Sequence, residues 1–287
     1  MSTVCSQSAA QMISCGLKSI DNGHLTIAVC AIVMIIFLIK LIAAPLLLAL
    51  ATLAARRWGT VLGGILIGLP LISGPISVFL AIENGAGFAV ETARGALAGT
   101  VALAVFTCVY AAVCPKGWLK ASFLSVALYV LASWIAAELP ISAVTLAVSA
   151  AAAIVLSLWI MPVPHSAAVK HRPPKHDLLM RMGMMMVLMI AITFLAPYIG
   201  PTASGIASTF PYMALTMAVF SQIQGGPDDA RRAMHGLMLG MYSGLVFNAV
   251  VWTLAAEDRL LIAYAAATAA ALAAQGVVLA LTLKKTA

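Results

Sequence analysis

Two short segments hold the residue types best able to grip a solute inside an apolar chain. In Gly68-Leu69-Pro70-Leu71-Ile72-Ser73-Gly74-Pro75-Ile76-Ser77, two prolines remove backbone donors and two glycines relax the chain in mid-run. Ser204-Gly205-Ile206-Ala207-Ser208-Thr209-Phe210-Pro211 sets one proline and three hydroxyls inside another apolar run. A helix interrupted in this way carries freed carbonyls, which hydrocarbon tolerates only when they are buried in protein or face a wet cavity. The chemistry is binding rather than covalent catalysis. Helix N-termini suit an anion, loose carbonyls a cation, and hydroxyls a polar group. Paired interruptions of this kind mark a substrate site near the bilayer midplane. The binding set read from the sequence is Gly68, Pro70, Ser73, Gly74, Pro75 and Ser77 with Ser204, Gly205, Ser208, Thr209 and Pro211. The plainer alternative is a pair of kinks in packed helices.

Ionisable residues in apolar runs come next, because burying them is costly without a use. Glu91 and Arg94 are three apart and share a helical face; Arg232 and His235 repeat that spacing further on. These four are the candidates for gating or proton coupling, and His235 alone titrates near neutrality unaided. Interfacial ion pairing or snorkelling competes with that role. Glu83 and Gln224 each end an interrupted run, where capping is the competing role, and Asn248 in mid-run faces protein rather than lipid. Two groups invite metal chemistry. Met180-Arg-Met-Gly-Met-Met-Met-Val-Leu-Met189 holds soft thioethers, but these spread around a helix and read as adaptable packing. The five cysteines (Cys5, Cys15, Cys30, Cys108 and Cys114) have no ligand spacing. A Cys5–Cys15 disulfide would require an oxidising compartment, and two idle thiols are the preferred reading. No metal or cofactor is expected.

The elements that must position these residues are membrane helices. Apolar residues are 63% of the chain and charged ones 9%, too little polarity to cover a soluble fold of 287 residues. The net charge of +7 sits in short gaps between apolar runs, which orients spans in a bilayer instead of forming a nucleic-acid face. The expected fold class is all-α, a polytopic transmembrane bundle. Apolar runs predict helices at about 30–55, 60–83, 88–113, 118–137, 141–162, 178–198, 201–224, 230–255 and 260–283. Lys and Arg crowd every second gap, placing the amino end outside and the carboxyl end in the cytoplasm. No cleavable signal is read at the start. The 25–55 run exceeds one span, so the first span centres on 34–55, and Met34 is a second plausible beginning.

Residues 59–106 also match 200–247 without a gap at a constant offset of 141. Thirteen of the 48 pairs are identical where roughly five are expected in so apolar a chain. Gly59, Gly64, Gly85, Gly95, Gly99 and Pro70 are among them, all backbone-determining residues. Five spans separate the copies, and an odd number reverses direction across the membrane. The expectation is therefore an inverted repeat: an extension at 1–33, a five-helix unit at 34–162, a cytoplasmic linker at 163–177 and a four-helix unit at 178–287. Lys40 matches Arg181 at the same offset.

Arg57-Trp58-Gly59, Gly-Leu-Pro-Leu-Ile-Ser-Gly-Pro at 68–75 and Ser-Thr-Phe-Pro at 208–211 resemble a group of bacterial polytopic inner-membrane proteins of unassigned function. The resemblance covers roughly 34–283. It implies a bacterial inner-membrane location and transfers no substrate or catalytic residue. In architecture, inverted five-span repeats with crossed broken helices are similar to sodium/proton antiporters and bile-acid-type symporters, but this chain lacks the antiporters' paired mid-membrane acids.

The resulting expectation is a secondary transporter or exporter of a small polar or anionic solute, working by alternating access. It is not read as an enzyme. Its partners are the bilayer and the solute, with no nucleic acid and homo-oligomerisation left open. Two alternatives stand beside it: an intramembrane enzyme acting on lipids, for which Asp228, Asp229 and His235 are scattered candidates, and a non-catalytic membrane assembly subunit.

Overall fold

The computed structural model describes residue 42 and residues 45–68, 77–78, 81, 86–139, 142–162, 164, 176–195, 210–255 and 259–286. Within them every regular element is helical: α1 (45–58), α2 (Thr60–Ile67), α3 (Ala86–Val113), α4 (Trp118–Glu138), α5 (Ala143–Ile160), α6 (Asp177–Leu195), α7 (Tyr212–Leu254) and α8 (Leu260–Thr286). Four helical stretches, Ala86–Lys116, Trp118–Ala136, Tyr212–Leu254 and Leu260–Thr282, are long and apolar enough to cross a membrane. Large apolar side chains stand exposed on the helices, as lipid would cover them: Phe123 on α4 is 80% exposed, and Trp159 on α5, a shorter apolar helix, is 84% exposed. This is a membrane protein.

Several expected elements change shape. The run predicted as one helix over 60–83 is helical to Ile67, stops at Gly68, and is helical again at Ser77 and Val78. The helix predicted to begin at 201 is described from Tyr212, directly after Pro211. The polar stretch at 225–229, read as the gap between two helices, does hold a break, but a narrow one: Gly226 alone is non-helical, at φ 78 and ψ −174, a conformation that L side chains rarely adopt. This elbow splits α7 into arms of about 21 Å and 42 Å at 1.5 Å per residue. Asp228 pairs with Arg231 and Asp229 with Arg232, one turn apart in each case. Pro227 and the two acids suit the opening turn of the second arm, where a missing N–H costs nothing and negative charge meets the dipole.

The tightest packing is between α2 and the second arm of α7. A Cβ on Gly64 would lie 2.2 Å from the Ala233 carbonyl oxygen, and one on Gly236 would lie 2.0 Å from that of Val61. Gly240 and Gly68 meet in the same way, each within 2.5 Å of the other helix's backbone. No flexible side chain can yield at these points, because backbone touches backbone. Glycines four apart on both helices allow this approach, which replaces the missing hydrophobic drive with dense van der Waals contact. A larger core of Leu48, Phe106, Tyr110, Met185, Met217 and Met238 joins α1, α3, α6 and α7, with Met185 drawn from the methionine run. At one end Phe247 and Val251 of α7 meet Tyr264 and Ala267 of α8.

Gly236→Ala should force α2 and α7 apart and cost about 1–3 kcal/mol, the usual range for overpacking. Its repeat mate Gly95 has open space where a Cβ would go. Gly95→Ala should be neutral or stabilise by up to about 1 kcal/mol through helix propensity. Unfolding midpoints in mixed micelles of increasing denaturing-detergent content check both.

Candidate functional site

The structure brings together only part of the expected site. Pro70, Ser73, Gly74, Pro75, Ser204, Gly205, Ser208 and Thr209 lie outside the described residues, as do Glu83, Cys5, Cys15 and Cys30. Gly68 ends α2 against Gly240, and Pro211 stands immediately before α7, so both sit where a helix stops or starts. The Ser77 hydroxyl lies 2.7 Å from the Tyr264 hydroxyl, and that hydroxyl also donates to the Ser77 carbonyl at 3.1 Å. Ser77 is thus tied to α8 in the state described.

Three of the four candidate gating residues have an ion-pair partner on their own helix. Glu91 and Arg94 pair at 3.6 Å on α3 with both side chains substantially exposed, a geometry worth little in stability. Arg232 pairs with Asp229 at 2.5 Å, both largely buried, and His235 is half-buried one turn further along. Asn248 was expected to bond to a neighbouring helix or a substrate; its amide donates instead to the Gly244 carbonyl four residues back, at 2.8 Å.

The strongest polar constellation was missed from the sequence. Asp177 opens α6, its side chain 1% exposed, and Arg181 follows one turn later, 4% exposed. The Arg181 Nε donates to both Asp177 carboxylate oxygens, at 3.2 and 3.0 Å. Its Nη2 donates to Gln224 Oε1 at 3.0 Å, Nη1 faces the Met217 sulfur at 3.6 Å, and the guanidinium stacks over Phe220 at 4.9 Å. Gln224 returns its amide to Asp177. Arg56, at the end of α1, donates through Nη2 to Asp177 Oδ2 at 2.6 Å. One carboxylate therefore joins α1, α6 and the first arm of α7. Sequence reasoning placed Asp177 in the linker and used Arg181 only as the repeat match of Lys40. An acid and a base four apart at the mouth of an apolar run was the available signal.

A second latch lies two residues before Gln224 on the same arm. Tyr110, fully buried on α3, donates to Gln222 Oε1 at 2.8 Å, and Gln222 Nε2 donates to the Cys114 carbonyl at 2.6 Å. Arg231 Nε reaches the Ala111 carbonyl at 3.1 Å. The C-terminal turn of α3 is thereby sewn to both sides of the α7 elbow. On α8, Gln275 is 7% exposed, and neither its amide oxygen nor its nitrogen has a hydrogen-bond partner among the described residues. It shares the buried face of Tyr264, Ala267 and Ala271. A buried amide in this condition requires a partner from outside the described residues.

Gln222→Ala should leave the Tyr110 hydroxyl without this acceptor, while the Cys114 carbonyl keeps the Gly117 N–H, and cost about 1–3 kcal/mol. Tyr110→Phe in that background should cost less than it does alone, since the hydroxyl has already lost its acceptor. A double-mutant cycle on unfolding midpoints measures the difference.

No protein-family model, curated protein or solved structure matches this chain, so its function is argued from its own residues and their geometry.

Proposed function

We propose that this protein is a secondary-active transporter or exporter of a small polar or anionic solute in a bacterial inner membrane. It works by alternating movement of a five-helix unit (34–162) against a four-helix unit (178–287) of inverted topology. Nine spans place the amino end outside and the carboxyl end in the cytoplasm, as the Lys/Arg distribution favours.

The observation that carries this reading is the termination of α2 at Gly68 on the glycine seam of α7. A helix that ends inside a bundle, backbone to backbone with a helix of the other unit, is the arrangement in which interrupted spans build a site at a repeat interface. Three of the four seam glycines belong to the self-match: Gly64 corresponds to Gly205, Gly236 to Gly95 and Gly240 to Gly99, whereas Gly68 corresponds to Thr209. A Cβ at Gly95 or Gly99 would meet nothing within 4 Å, so the support for the repeat is the sequence match itself. The unpartnered amide of Gln275 and the hydroxyls of Ser77 and Tyr264 add polar groups to the bundle interior. Three ion pairs, Glu91–Arg94, Asp228–Arg231 and Asp229–Arg232, each close within one helix, whereas Arg56 of the five-helix unit reaches Asp177 at the end of the linker.

In proteoliposomes, counterflow of a labelled panel of small carboxylates, phosphate and polar amides should find at least one transported solute. Pro70→Ala and Pro211→Ala should each lower its rate about tenfold or more, the scale expected for a displaced site. Parental rates in both variants, with the proteins still folded, would remove these segments from the site. For topology, single cysteines at Lys116 and Arg231 should react with an impermeant thiol reagent only from the cytoplasmic face, and one at Glu138 only from the outside. Labelling of Lys116 and Glu138 from the same side would break the inverted arrangement.

A further inference from the structure

The Arg56–Asp177–Arg181–Gln224 cluster does not balance its charge. Two guanidinium groups surround one carboxylate and one neutral amide among the described residues, a net +1. Asp177 and Arg181 balance each other where they are buried, and the excess charge stands on Arg56, one-third exposed, where an anion from outside can meet it. Hydrogen bonding points the same way. Asp177 is saturated by Arg56, Arg181 and Gln224, whereas the guanidinium groups are not. Arg181 Nη1 has only a thioether sulfur, a weak acceptor. Among the described residues Arg56 donates only through Nη2, and its side chain is one-third exposed. The cluster is therefore closed by protein on the Asp177 side and open along Arg56.

The opening of α6 adds to the field. Asp177 is its first residue, and the unpaired N–H groups of a helix start favour negative charge. Arg57, stacked over Trp58, lies next in the chain to Arg56, and Lys170, Arg172 and Lys175 precede Asp177 within eight residues. Among the described residues Asp228 and Asp229 are paired with Arg231 and Arg232.

We propose that Arg56 and Arg181 form a binding site for the carboxylate or phosphate group of a small free anion, with Asp177 as a tethered competitor for the same guanidinium groups. Planar guanidinium forks suit both oxyanions, and one monoanion would bring the cluster to neutrality. The bridge from α1 to α6 is then the contact that an arriving anion loosens. This rests on the transport reading above for its purpose and narrows the solute to an anion. An anionic lipid headgroup has the same chemistry, so the test separates the two sources.

The full chain is reconstituted in phosphatidylcholine nanodiscs, and inorganic phosphate and acetate are titrated against sodium chloride of equal ionic strength, following heat of binding and thermal midpoint. At least one oxyanion should bind saturably. Arg56→Gln should weaken it about tenfold or more, which direct contact with a guanidinium predicts. Asp177→Asn should tighten binding by removing the competitor. Gln224→Glu should weaken it by adding a second internal carboxylate while leaving every buried charge in place, so it reports even if the Asp177 variant fails to fold. Glutamate already stands at the matching position of the first repeat, Glu83.

Absence of saturable binding, or equal affinities in parent, Arg56→Gln and Gln224→Glu, overturns the site. Stabilisation through Arg56 only when the discs contain phosphatidylglycerol overturns the free anion in favour of a headgroup. Anion binding without counterflow supports the site and sinks transport, whereas counterflow of a neutral solute without anion binding does the reverse.

Discussion

Backbone contact between α2 and the second arm of α7 is the constraint on which the rest of the structure depends. Lipid tails are as apolar as leucine, so two helices in a bilayer gain nothing from burying leucines against each other. What holds them is the density of contact, and glycine allows the densest. Gly64, Gly68, Gly236 and Gly240 bring main chains within touching distance, and no side chain could share that space. With this seam closed, the place where α2 stops is held in the interior and not at the lipid face.

The elbow at Gly226 and the latches around it follow from the same absence of water. A break in α7 needs a residue that adopts φ 78 without strain and partners for the polar groups it brings inside. Arg231, Gln222 and the last turn of α3 supply them, with the Tyr110 phenol, the Gln222 amide and the Arg231 Nε each donating to a carbonyl oxygen. The Asp177 cluster stands slightly apart. It is over-supplied with donors, and a structural staple alone would need only one arginine.

Legibility differed by the range of the interaction. Helix class, the glycine and proline interruptions, and the Glu91–Arg94 pair are local patterns, visible because helical neighbours are three and four residues apart. Gly68 and Pro211 sit at helix ends, where a residue without a side chain or without an N–H costs least. The break at 225–229 was legible because Gly-Gly-Pro-Asp-Asp is a turn by composition; its confinement to Gly226 was not, because the i,i+3 pairs that hold the rest helical involve arginines beyond the window. Asp177 was misread for a related reason. Its polarity resembles the linker before it, and its burial comes from Arg56 and Gln224, 121 and 47 residues away.

Sequence alone determined that this chain is helical with runs apolar enough to cross a membrane, and that residues 59–106 match 200–247, because hydropathy is written in neighbouring residues and the match in a fixed offset. Only the tertiary structure decided which glycines touch, that Ser77 is tied to Tyr264, and that three distant elements share one carboxylate. Those facts depend on distances between residues far apart in the chain, and no local propensity encodes them.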